Sequence, residues 1–128
     1  MARKFTYRGK TIEELSALSL DDFVALLPTK PRRSMRRMGV QTKKFLEKFR
    51  KKAKSQKPIK TQFRQMVVLP EMVGKRFQVY NGKQYVDVVV GERMLGYRLG
   101  DFSHTIQLVR HSGPGIGATR GSKAVELK

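Results

Sequence analysis

The chain has 128 residues, with 28 Lys and Arg against 10 Asp and Glu and a formal net charge of +18. That length supports one domain with a small core, and a charge excess of this size repels itself unless a polyanion lies against it. There is no cysteine, which excludes disulfides, thiolate nucleophiles and Cys-ligated zinc. The longest apolar runs, Phe23–Leu27, Met66–Leu69 and Val88–Val90, are too short to cross a membrane.

The opening residues Met1-Ala2-Arg3-Lys4-Phe5 are basic, and no apolar segment follows them. The expectation is a soluble, intracellular protein without a secretory signal. Residues 11–27 read as two short helices. Thr11-Ile12-Glu13-Glu14 fits a capping box, and Ser19-Leu20-Asp21-Asp22 fits a second helix start with carboxylates near the positive end of the dipole. Leu20, Phe23, Val24 and Leu27 have the spacing of one buried face, which docks onto a core, and Pro28 ends the helix.

Pro28-Thr29-Lys30-Pro31 reads as a linker that does not continue a helix. It leads into Arg32-Arg33-Ser34-Met35-Arg36-Arg37. A helix is predicted from Gln41 to Ser55, with Phe45, Leu46, Phe49 and Ala53 on one stripe. Lys43, Lys44, Lys48, Arg50, Lys51, Lys52 and Lys54 cover the remaining surface.

After Lys57-Pro58 the pattern changes. Ile59–Leu69 looks extended, and Met66-Val67-Val68-Leu69 is predicted as a buried strand. Pro70–Gly74 has the proline-first, glycine-last signature of one helical turn. Lys75–Tyr80 and Lys83–Val90 flank Asn81-Gly82, a strong hairpin signal. A two-residue loop would pair Tyr80 with Lys83, Phe77 with Val86 and Arg76 with Asp87. Phe77, Val79, Val86 and Val88 then share the core face, Arg76, Gln78, Tyr85 and Asp87 share the other, and Gln84 is a misfit on the apolar side. Gly91–Gly96 suggests another turn of helix and Thr105–Val109 a last strand. Beyond Arg110 the Gly-rich composition predicts a mobile arm with Arg110, Arg120 and Lys123 spaced along it.

Charge is uneven along the chain. Residues 1–64 carry 19 basic and 5 acidic residues, against 9 and 5 in residues 65–128. Residues 30–60 hold 14 basic residues and a single acid, Glu47, so nothing nearby balances them. Arginine is clustered in pairs, and its planar fork matches phosphate oxygens in a way an ammonium does not. Arg32, Arg33, Arg36, Arg37, Lys43, Lys44, Arg50, Lys51, Lys54 and Lys57 are therefore candidate phosphate contacts.

The sequence carries no helix-turn-helix, homeodomain, zinc-finger or RNA-recognition-motif signature, which favours recognition of folded RNA by phosphate and shape. The only histidines, His104 and His111, have no carboxylate or second histidine at the i, i+4 ligand spacing. The Gly-rich arm lacks the Gly-Lys-Ser/Thr ending of a phosphate-binding loop. Asp21-Asp22 and Glu13-Glu14 read as helix-start acids. The expectation is no catalysis, no metal, no cofactor and no small-molecule substrate.

In order along the chain come Arg33-Ser34-Met35-Arg36-Arg37, Lys57-Pro58-Ile59-Lys60-Thr61-Gln62-Phe63-Arg64, Leu69-Pro70-Glu71-Met72-Val73-Gly74, Val79-Tyr80-Asn81-Gly82-Lys83, and Met94-Leu95-Gly96-Tyr97-Arg98-Leu99-Gly100-Asp101-Phe102. Together these closely resemble the small-subunit ribosomal protein family S-nineteen (S-fifteen in eukaryotes). The N-terminal helices and the Gly-Pro-Gly-Ile-Gly-Ala-Thr-Arg arm are similar to its archaeal and eukaryotic branch. The resemblance implies an α+β fold: a small sheet with a β-hairpin, short helices packed on it, a basic helix and a flexible C-terminal arm. It further implies an N-terminal helical extension over 1–29, a ribosomal RNA-binding domain over 30–109 and an arm over 110–128.

By the same resemblance the protein is cytoplasmic, in the head of the small subunit, bound to ribosomal RNA beside ribosomal protein S-thirteen. Arg33, Arg36, Arg37, Lys60, Arg64, Lys83 and Arg98 would face RNA, Asn81 and Gly82 would make the turn, and the arm with Arg110, Arg120 and Lys123 would reach toward transfer RNA. Ile106 departs from the family pattern, which usually has a basic residue after the threonine. Two other readings fit the composition: a free nucleic-acid-compacting or RNA-chaperoning protein, and a regulatory module whose 41–55 helix meets a membrane or a protein groove. The narrow apolar stripe of that helix and its lack of Trp count against a membrane.

Overall fold

Both N-terminal caps form as their sequences dictate in the structure, a computed structural model that describes residues 5–55 and 57–108. The Thr11 backbone N–H donates to Glu14 Oε2 at 3.0 Å and the Glu14 N–H to Thr11 Oγ1 at 3.4 Å, which starts α1 (Ile12–Ala17). Ser19 Oγ accepts from the Asp22 N–H at 3.2 Å and starts α2 (Leu20–Leu26). Phe23, Val24 and Leu27 are buried in the same core as the rest of the chain, as the docking reading expects, with Leu20 half-buried against it and Leu15 of α1 buried there too.

The predicted linker is instead helical. α3 runs Thr29–Arg37, with Pro28 as its N-cap and Pro31 in its first turn. The first amide nitrogens of a helix have no intrahelical partner, so Pro31 sacrifices no hydrogen bond there. The Arg32 N–H already donates to the Pro28 carbonyl at 3.0 Å. α4 follows over Gly39–Ala53, two residues earlier at each end than the sequence suggests. Thr42, Leu46 and Phe49 are its buried residues, with Phe45 and Ala53 half-buried beside them. The Lys75 ammonium donates to the Ala53 carbonyl at 3.3 Å, a cation at the negative end of the helix.

The sheet has the order β1-β2-β3, from β1 (Ile59–Thr61), β2 (Arg76–Tyr80) and β3 (Tyr85–Val89). β1 lies parallel to β2, and β2 and β3 form the expected antiparallel hairpin. Its register differs from the two-residue-loop expectation: Tyr80 pairs with Tyr85, Phe77 with Val88 and Gln78 with Asp87. Asn81 Oδ1 accepts from the backbone N–H groups of Lys83 at 2.9 Å and Gln84 at 2.8 Å, so the loop spans 81–84. A shift of two residues preserves side-chain parity. Phe77, Val79 and Val88 therefore still face the core, Arg76 still meets Asp87 at 2.9 Å, and Gln84 leaves the apolar face for the loop.

Two predicted strands are absent. Met66, Val67, Val68 and Leu69 are buried, and they meet residues 96–99 through three backbone hydrogen bonds around one isolated bridge, Val67 to Arg98, too short a pairing to make a strand. A short apolar run reports burial rather than strand pairing, and a one-turn helix lies next to each of the two segments along the chain. Pro70–Met72 and Glu92–Met94 form those turns, ahead of Gly74 and Gly96 as expected. Residues 105–108 form no strand, and Ile106 and Leu108 are exposed, so no apolar face is left there to bury. Val109 and the arm 110–128 lie outside the described residues.

One core joins the layers. Phe49 of α4 stacks on Phe77 of β2 with centroids 5.7 Å apart and planes 13° apart, pinning the basic helix to the sheet. Burial of two such rings stabilises the fold by roughly 1.5–3 kcal/mol each. The packing is α+β, and it sets how the cationic helix faces are presented.

Candidate nucleic-acid interface

α3 has one buried apolar anchor, Met35, and five of its other eight positions are Lys or Arg. Arg32, Arg33, Arg36 and Arg37 fall on a single stripe at i, i+1, i+4 and i+5, and with Thr29 they line a hollow of about 470 Å³. Arg32 is half-buried and the other three are exposed. Residues four apart on a helix rise by roughly 6 Å, so these guanidinium groups form a compact patch. Among the described residues only two salt bridges occur, Arg50 with Glu71 and Arg76 with Asp87, and neither uses an α3 arginine. Four planar donors with no carboxylate to bind can each form a bidentate bond with a phosphate.

α4 continues the cationic surface. Lys43, Lys44, Lys51 and Lys54 are exposed along it, and Lys57 follows its end. Arg50 is partly spent: its Nε and Nη2 donate to Glu71 at 3.2 and 2.9 Å. The hydrogen bond and the charge of Glu71 raise its pKa, so it stays charged. Lys60 and Lys83 are exposed on β1 and in the hairpin loop.

Arg64 is placed differently from these. Its Nη1 donates to the Tyr80 carbonyl at 2.6 Å and to Ser103 Oγ at 3.1 Å, and its Nη2 to the carbonyls of Gly100 at 3.0 Å and Ser103 at 2.6 Å. Only Nε is left to donate outward. Gly100 allows this approach, because a Cβ there would lie 3.1 Å from both Arg64 Cβ and the Arg64 carbonyl oxygen. Arg98 is also half-buried, and its Nη2 donates to Ser34 Oγ at 2.9 Å, tying α3 to the turn at 99–102. Both arginines hold the fold together.

The structure thus groups Arg32, Arg33, Arg36 and Arg37, continues them along α4, and draws Arg64 and Arg98 inward. Arg110, Arg120 and Lys123 lie outside the described residues. The sequence reading missed Ser103 and Ser34 as the partners of the inward arginines. Nothing local marks them, since each is 39 or 64 residues away from its arginine. No helix among the described residues is long and apolar enough to cross a membrane.

Comparison with known proteins gives this surface a context. The family model described as "Ribosomal protein S19" matches residues 33–111, a span that holds Arg33, Arg36 and Arg37, α4 and the whole sheet. The Small ribosomal subunit protein uS19 of Metallosphaera sedula is 48% identical over 130 residues, covering 98% of this chain and 93% of that protein. Its counterpart in Methanococcoides burtonii is 44% identical over 126 residues, covering 98% of this chain and 90% of the relative. With the motifs in order and the match running across nearly the whole length, the chain belongs to the ribosomal protein S19 family.

Proposed function

We propose that this chain is a structural constituent of the small ribosomal subunit, seated in its head and bound to small-subunit ribosomal RNA through phosphate and shape contacts. The observation that carries this reading is the α3 face, four clustered guanidinium groups without a carboxylate partner among the described residues. The relatives' names support the subunit assignment, and their similarity spans nearly the whole chain. The protein works in the cytoplasm as part of the ribosome, and its role is architectural.

In this proposal residues 30–109 are the RNA-binding unit and residues 1–29 an extension docked on it. Arg32, Arg33, Arg36 and Arg37 make the principal contact. Lys43, Lys44, Lys51, Lys54, Lys57, Lys60 and Lys83 extend it, while Arg50, Arg64 and Arg98 reach RNA only with donors that their internal partners leave free. Ribosomal protein S-thirteen is the neighbouring protein, and the arm 110–128 reaches toward transfer RNA.

Sedimentation of the tagged protein from a cell lysate tests the assignment. Comigration with small subunits through a high-salt wash is expected, and a dispersed protein would defeat it in favour of a free RNA-compacting role. The arm needs its own test. Ending the chain at His111 is expected to leave assembly intact and to weaken transfer-RNA occupancy or decoding accuracy. Failed assembly would make the arm an anchor on ribosomal RNA, and unchanged occupancy and accuracy would remove its proposed role.

A further inference from the structure

Between α4 and β1 lies a second basic surface, built differently from the arginine face. It is a groove of about 460 Å³ with Lys44, Lys48 and Lys52 along one wall and Lys60, Phe63 and Tyr85 along the other. No acidic side chain lines it among the described residues. The three α4 lysines recur every fourth residue, roughly 6 Å apart along the axis, close to one nucleotide step of an extended strand. Phe45 and Phe63 form an aromatic floor, with centroids 5.9 Å apart.

Tyr85 is the exposed ring of the groove, at 39% of its full accessibility. Its hydroxyl accepts from Gln62 Nε2 at 3.3 Å, and the Lys60 ammonium sits 5.6 Å from its centroid. The amides of Gln41 and Gln62 line the same groove and carry both donors and acceptors.

We propose that this groove takes an unpaired stretch of RNA, with one base stacked on the Tyr85 side and the phosphates following the α4 lysines. The inference rests on the RNA-binding reading above and assigns this groove a different part of the RNA. A row of arginines without aromatics answers the phosphates of a folded helix. A cation row beside an accessible ring also answers the flat face of a base that has left its stack. An exposed cation–π contact is weaker than base–aromatic stacking, so a base displaces the Lys60 ammonium from the ring and leaves it free to meet phosphate. An acidic peptide would satisfy the lysines but would leave the rings unused.

The chain contains no Trp, so Tyr85→Trp introduces a single indole reporter into the full-length protein. A six-nucleotide single-stranded RNA is expected to quench that indole, while inorganic polyphosphate and polyglutamate at matched charge leave it unmoved. Tyr85→Ala should lower affinity for the same RNA about tenfold and leave affinity for an RNA duplex within about twofold, because the α3 face is untouched. Tyr85→Phe keeps the ring and should keep the affinity. Thermal unfolding of each variant confirms that the hairpin persists.

Equal quenching by polyglutamate would assign the groove to an acidic peptide and overturn the proposal. Unchanged single-strand affinity in Tyr85→Ala, or an indole silent to single-stranded RNA, would overturn it as well. Salt-sensitive duplex binding that survives either result leaves the ribosomal reading standing, whereas an unmodified chain that binds neither form of RNA defeats both.

Discussion

Arg33 and Arg64 carry the same guanidinium, and the fold uses them in opposite ways. On α3, Arg33 stands with Arg32, Arg36 and Arg37 along one helical stripe that no acidic group approaches among the described residues. Arg64 stands alone in sequence, where the end of β2 and the turn at 99–103 bring carbonyl oxygens together, and four donor–acceptor pairs consume its terminal nitrogens. The difference is one of supply. Clustered arginines on a regular helix find few free backbone acceptors, because most carbonyls there are bonded within the helix and side chains project away from them. A single arginine among irregular turns finds several, since such turns leave carbonyls without backbone partners. Density of charge on a helix thus leaves guanidinium groups without a carboxylate partner among the described residues, and isolation among turns marks the structural clamp.

The largest expected effect separates the two classes directly. Arg64→Ala removes the donors from three backbone carbonyls and a buried serine, and should cost about 2–4 kcal/mol of stability. Thermal or denaturant unfolding measures this. A loss below about 0.5 kcal/mol would show that water replaces the clamp, and the distinction from α3 would fail.

Next in size is the converse variant. Replacing Arg32, Arg33, Arg36 and Arg37 by Gln should leave unfolding nearly unchanged and reduce the magnitude of the RNA salt slope by roughly three. Binding isotherms at several salt concentrations would show it. An unchanged slope would mean that the arginine face is only solvated.

Gly96→Ala sharpens the account of the turns that create the clamp's surroundings. Gly96 has φ +81°, and an added Cβ would lie 2.7 Å from the Tyr7 hydroxyl. A cost of about 1–2 kcal/mol in thermal unfolding is expected from the backbone strain alone.

The smallest effect concerns the hairpin's own pair. The Gln78 side chain, and then the Arg76 guanidinium, hold the Asp87 carboxyl below its usual range. A lowered carboxylate pKa adds stability above its unfolded value, and that contribution is lost as pH falls through the folded value. Because the Asp87 side chain is exposed, the effect should be confined to acid conditions and weakened by salt. Following the Asp87 carboxyl by NMR in the native chain and in Arg76→Gln should show an upward shift in the variant.

Much of this molecule was legible in local chemistry. Thr11 and Ser19 announce their helices because a capping side chain reaches only three residues ahead. The apolar stripe of α4 and the inward face of the hairpin follow from periods of 3.6 and 2. Proline-first turns and the arginine cluster are equally local, as is the family likeness carried by ordered short motifs. By itself the sequence therefore determined the α+β class, the cationic half of the chain and the identity of the core faces.

Tertiary structure decided the rest, wherever the deciding partner is distant or competes with a local rule. Pro28 and Pro31 read as breaks, yet at the start of α3 their missing N–H groups have no helical acceptor to lose. Asn81 lengthened the hairpin loop by binding two backbone amides, and local preference alone does not choose between that loop and a tight turn. Met66–Leu69 announced burial but not its backbone partner, the irregular segment 96–99 far along the chain. The roles of Arg64 and Arg98 rested on Ser103 and Ser34, far along the chain. A hydrogen bond needs its acceptor within about 3 Å in space, and only the folded chain brings such remote groups together.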